Sequence, residues 1–415
     1  MFKNNIIIIS LILFIISITA CKGNRSSTEE VEKGLKIIPV ENNAPVEKSE
    51  NKDFLLKKII IIDTEDTRFI ELGIRKILFI DCDLNGNIFV SDGKQVLKFD
   101  ENGDFIQKIG SSGQGPGEFG GVESLRVVHT NSLSFFDPVN QKILLFNPGG
   151  NFEKEIKLKN IFTYNAYVLD NGYFLILKRK ENPKEAKRIF YYSLLNEEFN
   201  EITTLKPRHS IELLDRSLKF NLIGYTTVLQ ITDSLIYVGT NMSDQVEIFV
   251  YDFKGNLKRI IKQKFKGKKI SQPFIDKTIE NWRNTPIWDK VKFKYYFPRS
   301  FPPFKYFWIE EDLGILIEQY FESEKSDDCI VDWFSLDGSF IKRLFLEKAR
   351  MKVFKNGYYF LVNEKQSGYS KLDGYKILDS DKEKLTNIKK KDVIVIMGKY
   401  FVTKNMIIVG TNLDE

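Results

Sequence analysis

Residue types that carry most enzymatic chemistry are scarce in this chain: among 415 residues there are 2 histidines and 3 cysteines. His129 lies in an apolar, strand-like stretch and His209 follows Pro207-Arg208. A zinc site built from three histidines is therefore impossible within one chain, and neither a Gly-x-Ser-x-Gly nor a His-Glu-x-x-His pattern occurs. Gly110 to Gly117 holds four glycines, yet no Gly-Lys-Ser/Thr follows and the next element reads as a strand. A phosphate cradle needs a helix N-terminus as well, so this loop reads as a crossover stiffened by Pro116 and plugged by Phe119. Carboxylates are plentiful, which leaves open an oxygen-ligand calcium site in a central channel. Asp92, Asp100, Asp137, Asp252 and Asp337, however, occupy turn positions where a carboxylate accepts bonds from backbone N–H groups. The densest candidate surface is aromatic. Trp288 to Trp308 carries Phe293, Tyr295, Tyr296, Phe297, Phe301, Phe304, Tyr306 and Phe307 among Pro298, Pro302 and Pro303. Trp288, Tyr295, Tyr296 and Trp308 are the candidate ligand-binding residues, forming an aromatic, basic lip suited to a sugar or an extended peptide. The competing role for the segment is to pack the helix before it against the body of the fold.

The remaining reactive group is the thiol of Cys21. Lys3 precedes an apolar run from Ile6 to Ile18, broken only by Ser10 and Ser17. As a helix this run rises about 20 Å, short of the ~30 Å hydrocarbon core, which fits a signal-peptide apolar segment rather than a membrane span. The Ile18-Thr19-Ala20-Cys21 sequence resembles the lipobox of bacterial lipoproteins. That resemblance implies cleavage before Cys21, a diacylglycerol and palmitate on the cysteine, and membrane anchoring through the new N-terminus. The expected organisation is a signal peptide over 1–20, a lipidated flexible tether over 21–53 and a folded domain over 54–415. Lys22, rather than Asp, follows the cysteine; by resemblance to the sorting habit of enteric bacteria, the expected location is the cell envelope, at the outer membrane.

Lys22 to about Asp53 is rich in Glu, Lys, Asn, Ser and Pro and poor in aromatics. Such a segment buries too little apolar surface to offset its ordering entropy, and about thirty residues give it a reach of roughly 30 Å. The rest leans to β structure, with 34 Phe, 17 Tyr and a hydrophobic content of 42%. The formal net charge of +6 comes from 62 basic residues interleaved with 56 acidic ones, which argues against a nucleic-acid partner. One local excess stands out: Lys254, Lys258, Arg259, Lys262, Lys264, Lys266, Lys268 and Lys269. These read as a solvated edge whose charges discourage strand addition, with contact to anionic lipid or polysaccharide as the alternative. Cys82 and Cys329 read as buried apolar residues, not as a disulfide.

From about residue 55 short apolar strands alternate with turn dipeptides. The clearest unit has four strands, Ile77–Ile80, Asn87–Val90, Val96–Phe99 and Asp104–Ile109, with turns at Asn85-Gly86 and Asn102-Gly103. Asn-Gly supplies the pair of positive φ angles that a two-residue hairpin needs. The pattern recurs with turns at Asn131-Ser132 and Gly149-Gly150, at Asn171-Gly172, at Asp233-Ser234 and Lys254-Gly255, at Asp312–Gly314 and Asp337-Gly338, and at Asn356-Gly357 and Asp373-Gly374. Six copies near ~40–45 residues match the size of a propeller blade. Copy four is lengthened by a short helical insertion near 271–287: Ser271 caps it, and Ile275, Ile279 and Trp282 recur at helical spacing. Lys58–Asp63, Val393–Ile396 and Met406–Val409 are the strands available to close the ring.

The Asn85–Asp92 and Gly113–Phe119 motifs resemble an NHL repeat. The whole is similar to the six-bladed β-propeller lipoproteins of Bacteroidetes-type bacteria, over about residues 57 to 380. The resemblance implies an all-β fold, a six-bladed propeller of four-stranded antiparallel blades; it assigns no chemistry and no cofactor. The leading expectation is a non-enzymatic envelope module that binds a peptide, glycan or partner protein. The alternatives are a lactonase-like hydrolase using a channel calcium ion, and a structural subunit of an envelope assembly.

Overall fold

A computed structural model describes residues 36–40, 54–379 and 393–395, apart from 129, 159–160, 162, 183–186, 207–208, 213–219, 225–226, 242–244, 265–266, 287 and 321–327. Cys21, His129, most of the tether and Met406–Val409 lie outside the described residues. The strands form six four-stranded antiparallel blades, each running from an inner strand a to an outer strand d. Blade one comprises Phe79–Cys82, Ile88–Ser91, Val96–Phe99 and Phe105–Ile109, and blade two Glu123–Val127, Leu133–Asp137, Lys142–Phe146 and Phe152–Lys157. Blade three comprises Asn165–Val168, Phe174–Asn182, Lys187–Leu195 and Glu201–Thr204. Blade four comprises Thr227–Ile231, Leu235–Thr240, Gln245–Asp252 and Leu257–Lys264. Blade five comprises Tyr306–Glu310, Gly314–Glu318, Asp328–Phe334 and Phe340–Glu347. Blade six takes Met351–Lys355, Tyr358–Glu364 and Ser370–Asp379, with Phe54–Asp63 from the other end of the chain as its d strand.

Turn chemistry sets the blade registers. Asp83 Oδ1 accepts from Asn85 N (3.0 Å) and Asn87 N (2.8 Å). Asp100 does the same with Asn102 and Asp104, and Asp252 with Lys254 and Asn256. In these turns only the glycine has positive φ, 82° at Gly86 and 89° at Gly103. They are thus wider than the expected two-residue hairpins, because the leading carboxylate organises five residues. Asn356-Gly357, with φ of 53° and 75°, is a two-residue turn. Asp373-Gly374 is not a turn at all: it lies inside Ser370–Asp379, opposite Ile60 and Ile61. Glycine is needed there because a Cβ would collide with the Ile60 side chain. The turn falls instead at Lys365–Tyr369, where Gly368 N donates to Lys365 O.

The second strand of a blade buries both faces, as at Ile88–Ser91, Leu133–Asp137 and Gly314–Glu318, so apolar residues there run continuously rather than alternating. In blade one, Ile88 and Val90 pack toward blade six, whereas Phe89 packs toward blade two. Six apolar clusters result, one at each blade–blade interface. Ile62, Ile80 and Phe360 join blades six and one; Phe89, Phe119 and Phe135 join one and two; Phe136, Ile143 and Ile176 join two and three. Leu194, Ile236 and Tyr251 join three and four, Ile248, Phe307 and Ile317 join four and five, and Leu56, Trp308 and Tyr359 join five and six. Cys82 and Cys329 are buried, unbridged members of two of these clusters.

Ring closure falls to Phe54–Asp63, which contains the expected Lys58–Asp63 strand. Lys365 Nζ clamps its end to Asp63 and Glu65, both at 2.7 Å, and Val393–Val395 pairs with its far edge at Leu55–Lys57. The basic outer edge of blade four behaves differently from expectation. Lys36–Val40 pairs in parallel with Arg259–Gln263, so this edge accepts a strand. The added segment, Lys-Ile-Ile-Pro-Val, brings one positive charge against a row of otherwise unpaired backbone groups, and those groups outweigh the repulsion. Gly374→Val, which drives a side chain into Ile60, is expected to cost about 1–3 kcal/mol and lower the thermal midpoint; an unchanged midpoint would show that closure does not depend on this contact.

Candidate functional site

In an up-and-down blade, the a–b and c–d turns share one face of the ring. The b–c turns and the d-to-a crossovers share the other, here termed the crossover face. This face is uneven. Crossovers into blades two, three and six are compact (110–122, 158–164 and 348–350), whereas those into blades four and five span 205–226 and 265–305. The b and c strands of blade three reach nine residues each, and His209–Glu212 pairs onto their extended end at Lys187–Phe190. The two long crossovers then join each other. Phe220–Asn221 pairs in parallel with Tyr295–Tyr296, Leu222 N donates to Tyr296 O (3.3 Å), and the Trp282 indole N–H donates to Leu222 O (3.0 Å). Blades three to five therefore carry a raised wall, whereas the crossover into blade one, 64–78, adds one short helix, Thr67–Glu71.

The insertion helix spans Gln272–Arg283, and Ser271 accepts from Phe274 N as its N-cap, as the sequence implies. None of its side chains is fully buried: Phe274, Ile275, Ile279 and Trp282 are half-covered. Trp288 stacks at 5.8 Å on Tyr295, and both stay half-buried beside Tyr296, with Phe293 85% exposed. Trp308 is not part of this lip. It lies in the inner strand of blade five, 4% exposed, with its indole N–H bonded to Lys352 O (3.0 Å). Phe301, Phe304 and Phe307 are buried too, so the aromatic segment divides into a core half and a surface half.

The inner strands of blades two to five open on polar residues at the crossover face: Glu123, Asn165, Thr227 and Tyr306. Those of blades one and six open on Phe79 and Met351. The polar side of the mouth thus coincides largely with the walled side. Tyr306 reaches across to blade four, where Gln230 Nε2 donates to its phenol (3.2 Å). In blade three, Asn165 Nδ2 donates to the Tyr167 phenol (3.2 Å), and Glu123, Ser124 and Tyr306 act on the same phenol. Burial raises the pKa of Tyr167 and Tyr192, and also that of the half-buried Glu123. Ser124 has φ of 53°, at a bulge in the inner strand of blade two, and its buried Oγ makes no hydrogen bond of good geometry. Glu123, Ser124, Asn165, Tyr167 and Gln230 belong to no motif that marks them in the sequence. The available signal was polar residues recurring in the first strand of each copy, where an all-apolar strand would pack equally well.

Deeper along the axis, charges cross between blades. Lys355 Nζ of blade six donates to Asp81 of blade one (2.7 Å) and to Val127 O of blade two (2.8 Å). Arg126 of blade two donates to Val168 O and Asp170 of blade three, both at 2.9 Å, and to Thr232 O after the first strand of blade four (3.4 Å). Glu310 of blade five accepts from Gly357 N of blade six (3.0 Å). Asp81 and Asp170 are thereby each paired with a cation of the chain. Among the described residues no group of three or more His, Cys, Asp or Glu is arranged to hold a metal ion. The five turn carboxylates all accept backbone N–H bonds, as at Asp92, Asp137 and Asp337.

Residues 24–217 match the model of a family, DUF5128, described as a 6-bladed beta-propeller. Among solved structures, a Bacteroides fragilis NCTC 9343 protein described as exported superposes with a TM-score of 0.50 at 15% identity, over 83% of this chain and 100% of that one. A DUF4221-family member from Bacteroides vulgatus ATCC 8482 gives 0.43 at 12%, over 80% and 98%. A gluconolactonase from Xanthomonas campestris gives 0.36 at 11%, over 74% and 88%. No curated protein matches the chain. The six-bladed fold is what the family model shares with the chain.

Glu310 yields a pH test. Burial pushes its carboxyl from 4.5 up to about 7, so the folded chain holds this proton more tightly than the unfolded one. Its contribution to stability is fully present below about pH 4.5 and lost as pH rises through about 7. Glu310→Gln keeps an acceptor for Gly357 N and removes the ionisation. The variant is expected to exceed the parent at pH 8 by on the order of 3 kcal/mol in urea unfolding, with the gap closing near pH 5; parallel pH profiles would contradict this.

Proposed function

We propose that this chain is a lipid-anchored propeller of the cell envelope whose crossover face binds a ligand and performs no chemistry on it. The observation that carries the reading is the uneven elaboration of that face. Two long crossovers are folded together over blades three to five, beside the polar half of the axial mouth, while among the described residues the opposite face has compact turns. Elaboration confined to one sector adds nothing to ring closure; it builds one side of a concavity. Trp288, Tyr295 and Tyr296 then form an aromatic rim able to take part of a glycan, a peptide or a partner protein.

The Ile18–Cys21 pattern supports the anchor, and a Bacteroides fragilis protein of the same fold is described as exported. Two acyl signals at Cys21 would fix the chain stably to a membrane, by the Lys22 rule the outer one. On this reading, the parallel pairing of Lys36–Val40 brings the tether off the outer edge of blade four. Cys21→Ser is expected to abolish metabolic palmitate labelling and shift the protein out of the membrane fraction; retained labelling would refute the anchor. Trp288→Ala with Tyr296→Ala is expected to leave thermal stability nearly unchanged while weakening retention of envelope ligands on the immobilised protein; undiminished retention would remove the aromatic rim from the site.

A further inference from the structure

Around the axial mouth, four blades contribute hydrogen-bonding side chains to one place. Glu123 and Ser124 come from blade two, Asn165 and Tyr167 from blade three, Gln230 from blade four and Tyr306 from blade five. Two features mark the place as more than packing. Ser124 is 7% exposed, its Oγ faces the Tyr167 phenol, and its backbone sits at a φ of 53° that costs a non-glycine residue energy. The hydroxyl of Thr227, which opens the inner strand of blade four at the same end, is buried and unbonded. The Thr227 hydroxyl is thus open to a hydrogen bond from a group that occupies the mouth.

We propose that the axial mouth formed by Ser124, Asn165, Tyr167, Gln230 and Tyr306 is a binding site for a neutral saccharide residue. The proposal rests on the crossover-face reading and specifies its ligand. Amides, phenols and a hydroxyl supply donors and acceptors together, which is what a ring of sugar hydroxyls requires, and the phenol rings offer apolar faces for its C–H side. Among the described residues, the cations deeper along the axis, Arg126 and Lys355, are already bonded to Asp170 and Asp81, which leaves neither for an anionic ligand. An extended peptide is read mainly by a row of main-chain groups along a strand edge, whereas these groups converge from four blades on a compact volume.

The test uses the full chain in detergent on an array of neutral and acidic oligosaccharides, followed by calorimetry with a retained neutral oligosaccharide. Neutral glycans are expected to be retained and acidic ones not. Tyr306→Phe, which keeps the ring, is expected to weaken binding at least tenfold, about 1.4 kcal/mol, with the fold intact by circular dichroism. Ser124→Ala serves as the second variant and is expected to weaken binding in the same sense. Retention of acidic glycans alone, of peptides alone, or unchanged affinity in both variants overturns the proposal. If Trp288→Ala weakens binding of a glycan that Tyr306→Phe leaves unaffected, the axial assignment falls and the crossover face stands. If neither lip nor axial substitutions alter retention, both fall.

Discussion

Apolar packing between neighbouring blades is the interaction on which this molecule depends, and packing of that kind is complete only in a closed ring. Every interface has its own cluster, and every blade serves two of them. A large side chain buried at such a seam contributes about 1.5–3 kcal/mol, so a seam left open forfeits a large fraction of a domain's net stability. The constraint explains why the chain brings Phe54–Asp63 back to blade six. It also explains why that strand is clamped by ion pairs at its exit and fitted against Gly374 in its middle.

The same constraint separates what may vary from what may not. Strands b and c are walled by neighbours, and their apolar runs admit few polar residues except where paired, as at Asp332 with Arg343. The rim of the inner strands and the crossovers lie outside the seams. There the chain tolerates a carboxyl with a raised pKa, a serine at positive φ and a partly covered amphipathic helix. Function in a propeller is carried by positions that ring closure leaves free.

The fold was legible in the sequence because turns and strand lengths are local. The six copies, the helix after Ser271, the Gly-rich crossover ending at Phe119 and the turn-organising aspartates all follow from short-range spacing. Two local readings failed for lack of a partner strand. Asp373-Gly374 has the composition of a turn, yet its glycine answers to Ile60, more than three hundred residues away. The basic edge of blade four looked protected until Lys36–Val40 was placed beside it. The site was less legible. Trp308 shares an aromatic segment with Trp288 but belongs to an inner strand, where alternation turns it into the seam with blade six. The axial cluster gathers Ser124, Tyr167, Gln230 and Tyr306 from four copies, and no linear pattern announces that they meet.

Function at the crossover face is open to a footprint that presumes no ligand. Hydroxyl-radical modification of aromatic side chains can be compared between the protein in its native membranes and the purified protein. Phe293 and Tyr306 mark the crossover face, while Phe105 and Phe152 begin outer strands at the opposite face, and all four are exposed. Protection of Phe293 and Tyr306 in native membranes, with Phe105 and Phe152 modified equally in both samples, is the result this account predicts. Protection confined to Phe105 and Phe152 would contradict it.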